Sequence, residues 1–346
     1  MRNSSRWKAL TLLPSELASW ITNMAHWLRS HGSGLLIWLL VLDCLSSLIT
    51  DGTDPRQWDS LFLSGVATFT IGILLAQKTP QTLTAALTRL VNRGTLLTSQ
   101  NELSKVQARL ELRSQVWAHR GGLVCGTALL LSFLVPFGLS KMLLMVLETL
   151  GGYVGGRYLG RMASYGTLKL FLKKEGLAIK VKPGHPDAAG GLNPLGDFYF
   201  FQAMVAAIPS AFLAIWWILI PLMPQYAKWR APYLGLLAIA VAFELLAFAV
   251  PLWLFHLEMA TQRIQLLKEA GGLSFRISDL QAQLTVVQDS QEREDIEAQI
   301  AQCTTRYWNI KKVPTWPLNV KTLRHFILNN FALCIPFLSQ ATGNGL

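Results

Sequence analysis

The sequence predicts an all-α protein: a polytopic integral membrane helical bundle of about six spans, carrying cytoplasmic amphipathic and coiled-coil helices. Three observations predict it. Apolar residues make up 51% of the 346 and charged residues only 15%, against about 25% charged in soluble domains. The apolar residues fall into separate runs of membrane-spanning length. The basic residues lie almost wholly in alternate connections between those runs. A net charge of +11 spread in this way points to anionic headgroups and topology, so no nucleic-acid partner is expected.

Residues 1–32 read as a cytoplasmic amphipathic helix. Leu10, Leu13, Leu17, Trp20, Ile21, Met24, Trp27 and Leu28 recur three and four apart, an apolar face suited either to the membrane interface or to another part of the protein. The apolar segments follow at 33–50, 60–77, 121–139, 142–161, 198–223 and 232–256. Each is long enough to cross about 30 Å of hydrocarbon at about 1.5 Å per residue. They group as 33–77, 121–161 and 198–256. The first lacks a cleavage site and reads as a retained span. Of the 31 Lys and Arg residues, all but Arg56, Lys141, Lys228 and Arg230 lie on one side, and 51–59 opposite is acidic. The positive-inside rule therefore places both termini in the cytoplasm. Trp216, Trp217, Trp229 and Tyr233 are expected to form an aromatic belt at the outer end of the last span pair.

The cytoplasmic connections carry helices of their own. In 78–120, Thr79 is expected to cap a helix with Pro80 at its first position. Leu83, Leu87, Leu90 and Val91 share one face, and Leu103, Val106, Leu110 and Trp117 a second. In 257–312, Ile277, Leu280, Leu284 and Val287 follow heptad spacing, as do Ile296, Ile300, Cys303 and Tyr307. Asp289-Ser290-Gln291-Glu292 between them matches a capping box, which favours a helical hairpin over one rod. In the C-terminal part, 313–346, the apolar stretch 326–338 suits a re-entrant or interfacial helix.

The basic segment 162–182 leads into Pro183–Asp197, where prolines and glycines crowd together and predict a turn-rich loop at a membrane surface. It contains His185, Pro186, Asp187, Gly190, Gly191, Leu192, Pro194 and Gly196. Asp187 can accept backbone N–H groups of the following turn while Gly190 and Gly191 supply positive φ, with His185 bonding to a neighbouring span. Alternatively, His185 and Asp187 are two metal ligands, or a base and its orienter. His-Pro-Asp alone suggests a J-domain, but the flanking helices of that domain are missing. The whole run His185-Pro186-Asp187-x-x-Gly190-Gly191-Leu192 resembles a signature of bacterial polytopic membrane proteins that have no established activity. In those a basic segment similarly precedes the motif and a span follows. Trp316-Pro317 resembles the Trp-Pro pair before their final short helix, whereas Asn193 stands where they more often have Gly.

Three acids fall within the apolar segments: Asp43, Glu148 and Glu244. Each must face protein or water, either as part of an ion or proton path or as a protonated group bonded between helices. Arg157 and Arg161 are expected at headgroups. Gly151, Gly152, Gly155, Gly156 and Gly160 make a smooth stripe for close helix approach, within the chain or between copies. Four scattered cysteines and the absence of nucleotide or metalloprotease motifs give no cofactor and no metal site to expect. The expected partners are the lipid bilayer, further copies of the chain and a cytoplasmic protein meeting 78–120 and 257–312. The function expected is a non-enzymatic, oligomeric channel-like or effector module of the bacterial inner membrane. A transporter using the three acids and a membrane enzyme centred on His185 and Asp187 are the alternatives.

Overall fold

The computed structural model describes residues 60–137 and 142–341. The expected helix over 9–28, the segment 33–50, Asp43 and the acidic 51–59 lie outside them. The chain is mostly helical, and it divides into two units: residues 1–74 with 122–156, and 75–121 with 157–346. Among the described residues, two helical stretches are long and apolar enough to cross a membrane, Asn193–Leu222 and Tyr233–Leu284.

In the first unit, parts of α1 (Ser60–Ala76), α3 (Gln100–Phe137) and α4 (Met142–Gly166) meet through glycines. A Cβ on Gly126 would stand 3.3 Å from Tyr153, one on Gly152 would strike Leu129, and one on Gly155 would stand 2.5 Å from the Phe69 ring. Small residues let helix backbones approach closely.

In the second unit, α2 (Thr79–Asn92) buries Leu83, Ala86, Leu87 and Leu90, as its spacing predicts. Its cap differs from expectation. Lys78 occupies the N-cap position without a side-chain bond, and the buried Thr79 hydroxyl has no partner. Pro80 lacks an N–H in any case and accounts for the helix start by itself. Leu103, Val106 and Leu110 on the first part of α3 join the same core. No break separates this face from the apolar run that follows, because Gly121-Gly122 costs a helix only about 1 kcal/mol per residue.

A short α5 (Leu168–Lys174) leads to an extended stretch, where Ile179 forms an isolated antiparallel bridge with Leu96. The loop then ends earlier than its composition suggests. Asn193 to Asp197 form the first turn of α6 (Asn193–Leu219), with Pro194 near its start, a position that proline favours. Two 3₁₀ turns, Ile220–Leu222 and Pro224–Trp229, connect it to α7, a 55-residue helix over Arg230–Leu284. Trp216 and Trp217 are buried rather than facing outward. Trp216 meets Tyr226 edge-on and Arg230 sits 4.8 Å over the Trp217 ring. A cation over an indole face holds the ring inward.

The hairpin is present: α8 (Ser290–Lys311) packs back on α7, and Asp289 caps it by accepting from the Gln291 N–H. Its first arm is the continuation of α7 itself. The expected single helix over 326–338 is instead two, α9 (Val320–Leu333) and α10 (Ile335–Ala341). Pro336 stands just inside the second start, and Asn319 caps the first through the Thr322 N–H at 2.8 Å.

Several polar residues of α6, α7 and α9 are buried while large apolar residues of the same helices are exposed. Between residues 231 and 255, Glu244 is the one ionisable side chain of α7 apart from Tyr233, and it is buried. Leu236, Ile239, Phe243, Leu246, Val250 and Trp253 of the same helix are exposed. On α9, Asn330 is buried while Ile327, Leu328 and Phe331 are exposed. On α6, Gln202 and Ser210 are buried and Ile215 and Ile218 exposed.

Candidate functional site

The loop after the extended stretch is built around Asp187. Gly184, Ala188, Gly190 and Gly191 all take positive φ, which costs glycine little and explains the glycines at these positions. The chain thereby wraps its N–H groups onto one carboxylate. Ala189 and Gly191 donate to Oδ1 at 3.0 and 2.9 Å, and Asn193 donates to Oδ2 at 3.3 Å. Arg93, at the end of α2, donates Nη1 to Oδ2 at 2.9 Å. His185 Nδ1 stands 2.8 Å from Oδ1. Burial alone would raise the Asp187 pKa. The Gly191 and Ala189 N–H groups, with His185, outweigh it and hold the carboxyl below its ordinary value.

Neighbouring segments tie into the same joint. The Lys182 N–H donates to the Gly190 carbonyl, and the Lys180 N–H to that of Thr95. Gln262 of α7 accepts from the Val181 N–H at 2.9 Å. A Cβ on Gly190 would meet Val181, Met259 and Pro314, and one on Gly196 would strike Pro317 and Leu318. Leu192, Pro194 and Leu195 are buried, whereas Pro186 is exposed. His256 of α7 bonds the Thr315 carbonyl at 2.8 Å and stacks on Trp316. Lys169 pairs with Glu258 at 3.0 Å. Burial would raise that carboxyl too, and Lys169 and Gln262 bring it below its ordinary value.

His185 and Asp187 are thus brought together, with His185 bonded within the loop instead of to a neighbouring span. Four donors, the three N–H groups and Arg93, match the roughly four lone-pair directions of a carboxylate, and His185 Nδ1, which also faces the Asp187 N–H at 3.3 Å, stands beside them. Among the described residues, no group of three or more His, Cys, Asp or Glu side chains is placed to hold a metal ion. The arrangement fastens α2, the extended strand, α6, α7 and the Trp316-Pro317 turn to one another.

The three acids fare differently. Asp43 and the Glu148 side chain lie outside the described residues. Glu244 is 1% exposed, facing Ser210 of α6 and Asn330 of α9. Its Oε2, the Ser210 Oγ and the Asn330 Oδ1 are buried and make no hydrogen bond of ordinary geometry, although the Ser210 hydroxyl and the Asn330 amide both face the carboxyl and can donate to it.

Most of the glycine stripe is spoken for inside the chain. Gly152 and Gly155 meet Leu129 and Phe69, and a Cβ on Gly160 would collide with the Trp117 backbone. Gly156 is buried, and Gly151 faces open space. Arg161 meets an acid rather than headgroups alone, at 3.7 Å from Glu111. Sequence reasoning missed Arg93, Gln262, Ser210 and Asn330. Polar residues next to proline (Ser210) or inside an apolar run (Asn330) are the signal that could have found the last two. Compared with known proteins, the chain matches no family model, no curated protein and no solved structure.

Proposed function

We propose that the chain is a six-span protein of the bacterial inner membrane with both termini cytoplasmic, acting as a non-enzymatic, oligomeric channel-like or effector module. The exposed apolar face of α7, with Glu244 of the same helix buried, carries the membrane part of this reading. A helix in water hides leucine and exposes glutamate. A helix in hydrocarbon does the reverse, because leucine is at home there and a charge is costly. Lipid, or the same face of another copy, suits a surface made of Leu236, Ile239, Phe243, Leu246 and Val250, and this supports the reading.

The unbroken α7 supplies the mechanism. At about 1.5 Å per residue its 55 residues reach roughly 80 Å, of which about 30 Å suffices for the hydrocarbon. The rest forms the hairpin arm, so a push or tilt at the hairpin is carried along one helix to the apolar segment, with Pro251 inside that helix as the place where it bends most easily. The Asp187 joint fixes where α7 is gripped. A cytoplasmic protein engaging α2 and the hairpin, where Phe275 and Val286 are exposed, recruits or gates the module. Native mass spectrometry of the full chain in detergent tests it. A defined oligomer is the expected result, and a monomer at all concentrations contradicts it.

A further inference from the structure

We propose that Glu244, Ser210 and Asn330 form an occluded site for one monovalent cation, a proton or a sodium ion. The inference rests on reading α6 and α7 as spans, and goes beyond it by assigning a ligand. Three helices each bring one buried polar side chain to the same place, Ser210 from α6, Glu244 from α7 and Asn330 from α9, and Ser210 Oγ, Glu244 Oε2 and Asn330 Oδ1 each lack a hydrogen bond of ordinary geometry. Their residues are 0%, 1% and 9% exposed. Asn330 donates Nδ2 to the Phe326 carbonyl at 3.1 Å, which leaves its oxygen for another use. Pro209 precedes Ser210 inside α6 and offers no N–H to the Val205 carbonyl, one turn back.

The chemistry narrows the ligand. An isolated carboxylate in an apolar bundle costs several kcal/mol. It must be neutralised, and the groups facing Glu244 are a hydroxyl and an amide, with no charged side chain among them. A single positive ligand balances a single carboxylate. A divalent ion would bring an uncompensated charge into hydrocarbon, and soft metals prefer sulfur or imidazole over three oxygens. A proton completes one oxygen as O–H, while sodium engages all three.

A lipid-soluble carbodiimide tests the site on the full chain in detergent, where topology does not matter. It adds across a protonated carboxyl to give an O-acylisourea, which rearranges to a stable N-acylurea without a leaving group. Reaction at about pH 6 and about pH 9, in sodium or in choline, is followed by peptide mass spectrometry. The expected result is an adduct on Glu244 that forms at least roughly tenfold more slowly at the higher pH. Slowing by pH alone identifies a proton; additional slowing by sodium at fixed pH identifies sodium; either supports the site. Glu244→Gln should keep its melting temperature and lose the adduct. Equal rates at both pH values and in both salts would mark a permanently protonated packing group and overturn the proposal, as would no adduct under any condition. Those outcomes leave the membrane reading untouched, since it is tested separately by side-specific labelling.

Discussion

Asp187 is 10% exposed at its side chain and accepts from Arg93 and three backbone N–H groups, with His185 Nδ1 2.8 Å away. Replacing it by Asn removes the charge that these four donors share and leaves the Arg93 guanidinium without its partner. The expected loss is about 2 kcal/mol, the order of removing a charged acceptor from part-buried donors, read as a lowered melting temperature. The pH dependence has a definite sign. A carboxyl held below its unfolded value of about 3.9 stabilises the fold above that pH, and the benefit is lost as pH falls through the lowered native value. Wild type and Asp187→Asn should therefore differ most near neutrality and converge in acid. A constant difference across that range would contradict the account. The sequence made Asp187, Gly190 and Gly191 legible as a capped turn, because Asx chemistry and positive φ act within a few residues. Arg93 was not legible. It lies 94 positions away, and nothing local distinguishes it from the other basic residues at the ends of helices.

Among the helices, Gly160 and Gly151 separate contact within the chain from contact between chains. A Cβ on Gly160 would run into the Trp117 carbonyl and the Ala118 backbone, which cannot rotate aside, whereas Gly151 has nothing within 4 Å. Gly160→Ala should cost about 2 kcal/mol by overpacking, and Gly151→Ala less than about 0.5 kcal/mol. Thermal unfolding in detergent checks both. Equal effects would sink the assignment of the stripe to internal packing. Periodicity located α2 and the two arms of the hairpin, each of which shows its own repeat, and the length of the apolar runs located the long apolar helices. Boundaries were less readable. A change from apolar to polar sequence after residue 256 ends an apolar run without ending a helix, so α7 runs on into the hairpin. Pro194 looked like a loop residue and is a helix start, because proline disrupts only the positions that need its N–H or its preceding turn. In the tail, the polar residues at 319–325 concealed a helix that begins before the apolar run.

For the molecule as a whole, apolar composition and alternating charge indicated the membrane, and the three-helix convergence on Glu244 was out of reach. Ser210 and Asn330 are 120 positions apart, and only packing brings them to one acid. The exposed apolar face of α7, with Glu244 buried, is the structural support for the proposed membrane reading, and the proposed orientation rests on the distribution of Lys and Arg. Cys303 lies in that hairpin as a free, partly exposed thiol. With Cys44, Cys125 and Cys334 replaced by serine, it becomes a single reporter of where the hairpin stands. Membrane-impermeant maleimide applied to intact cells and to inside-out membrane vesicles reads it directly. Labelling of Cys303 in the inside-out vesicles and not in intact cells is the predicted result. Labelling from outside intact cells, or recovery of the protein in the soluble fraction, would contradict a cytoplasmic hairpin carried by a helix that crosses the membrane.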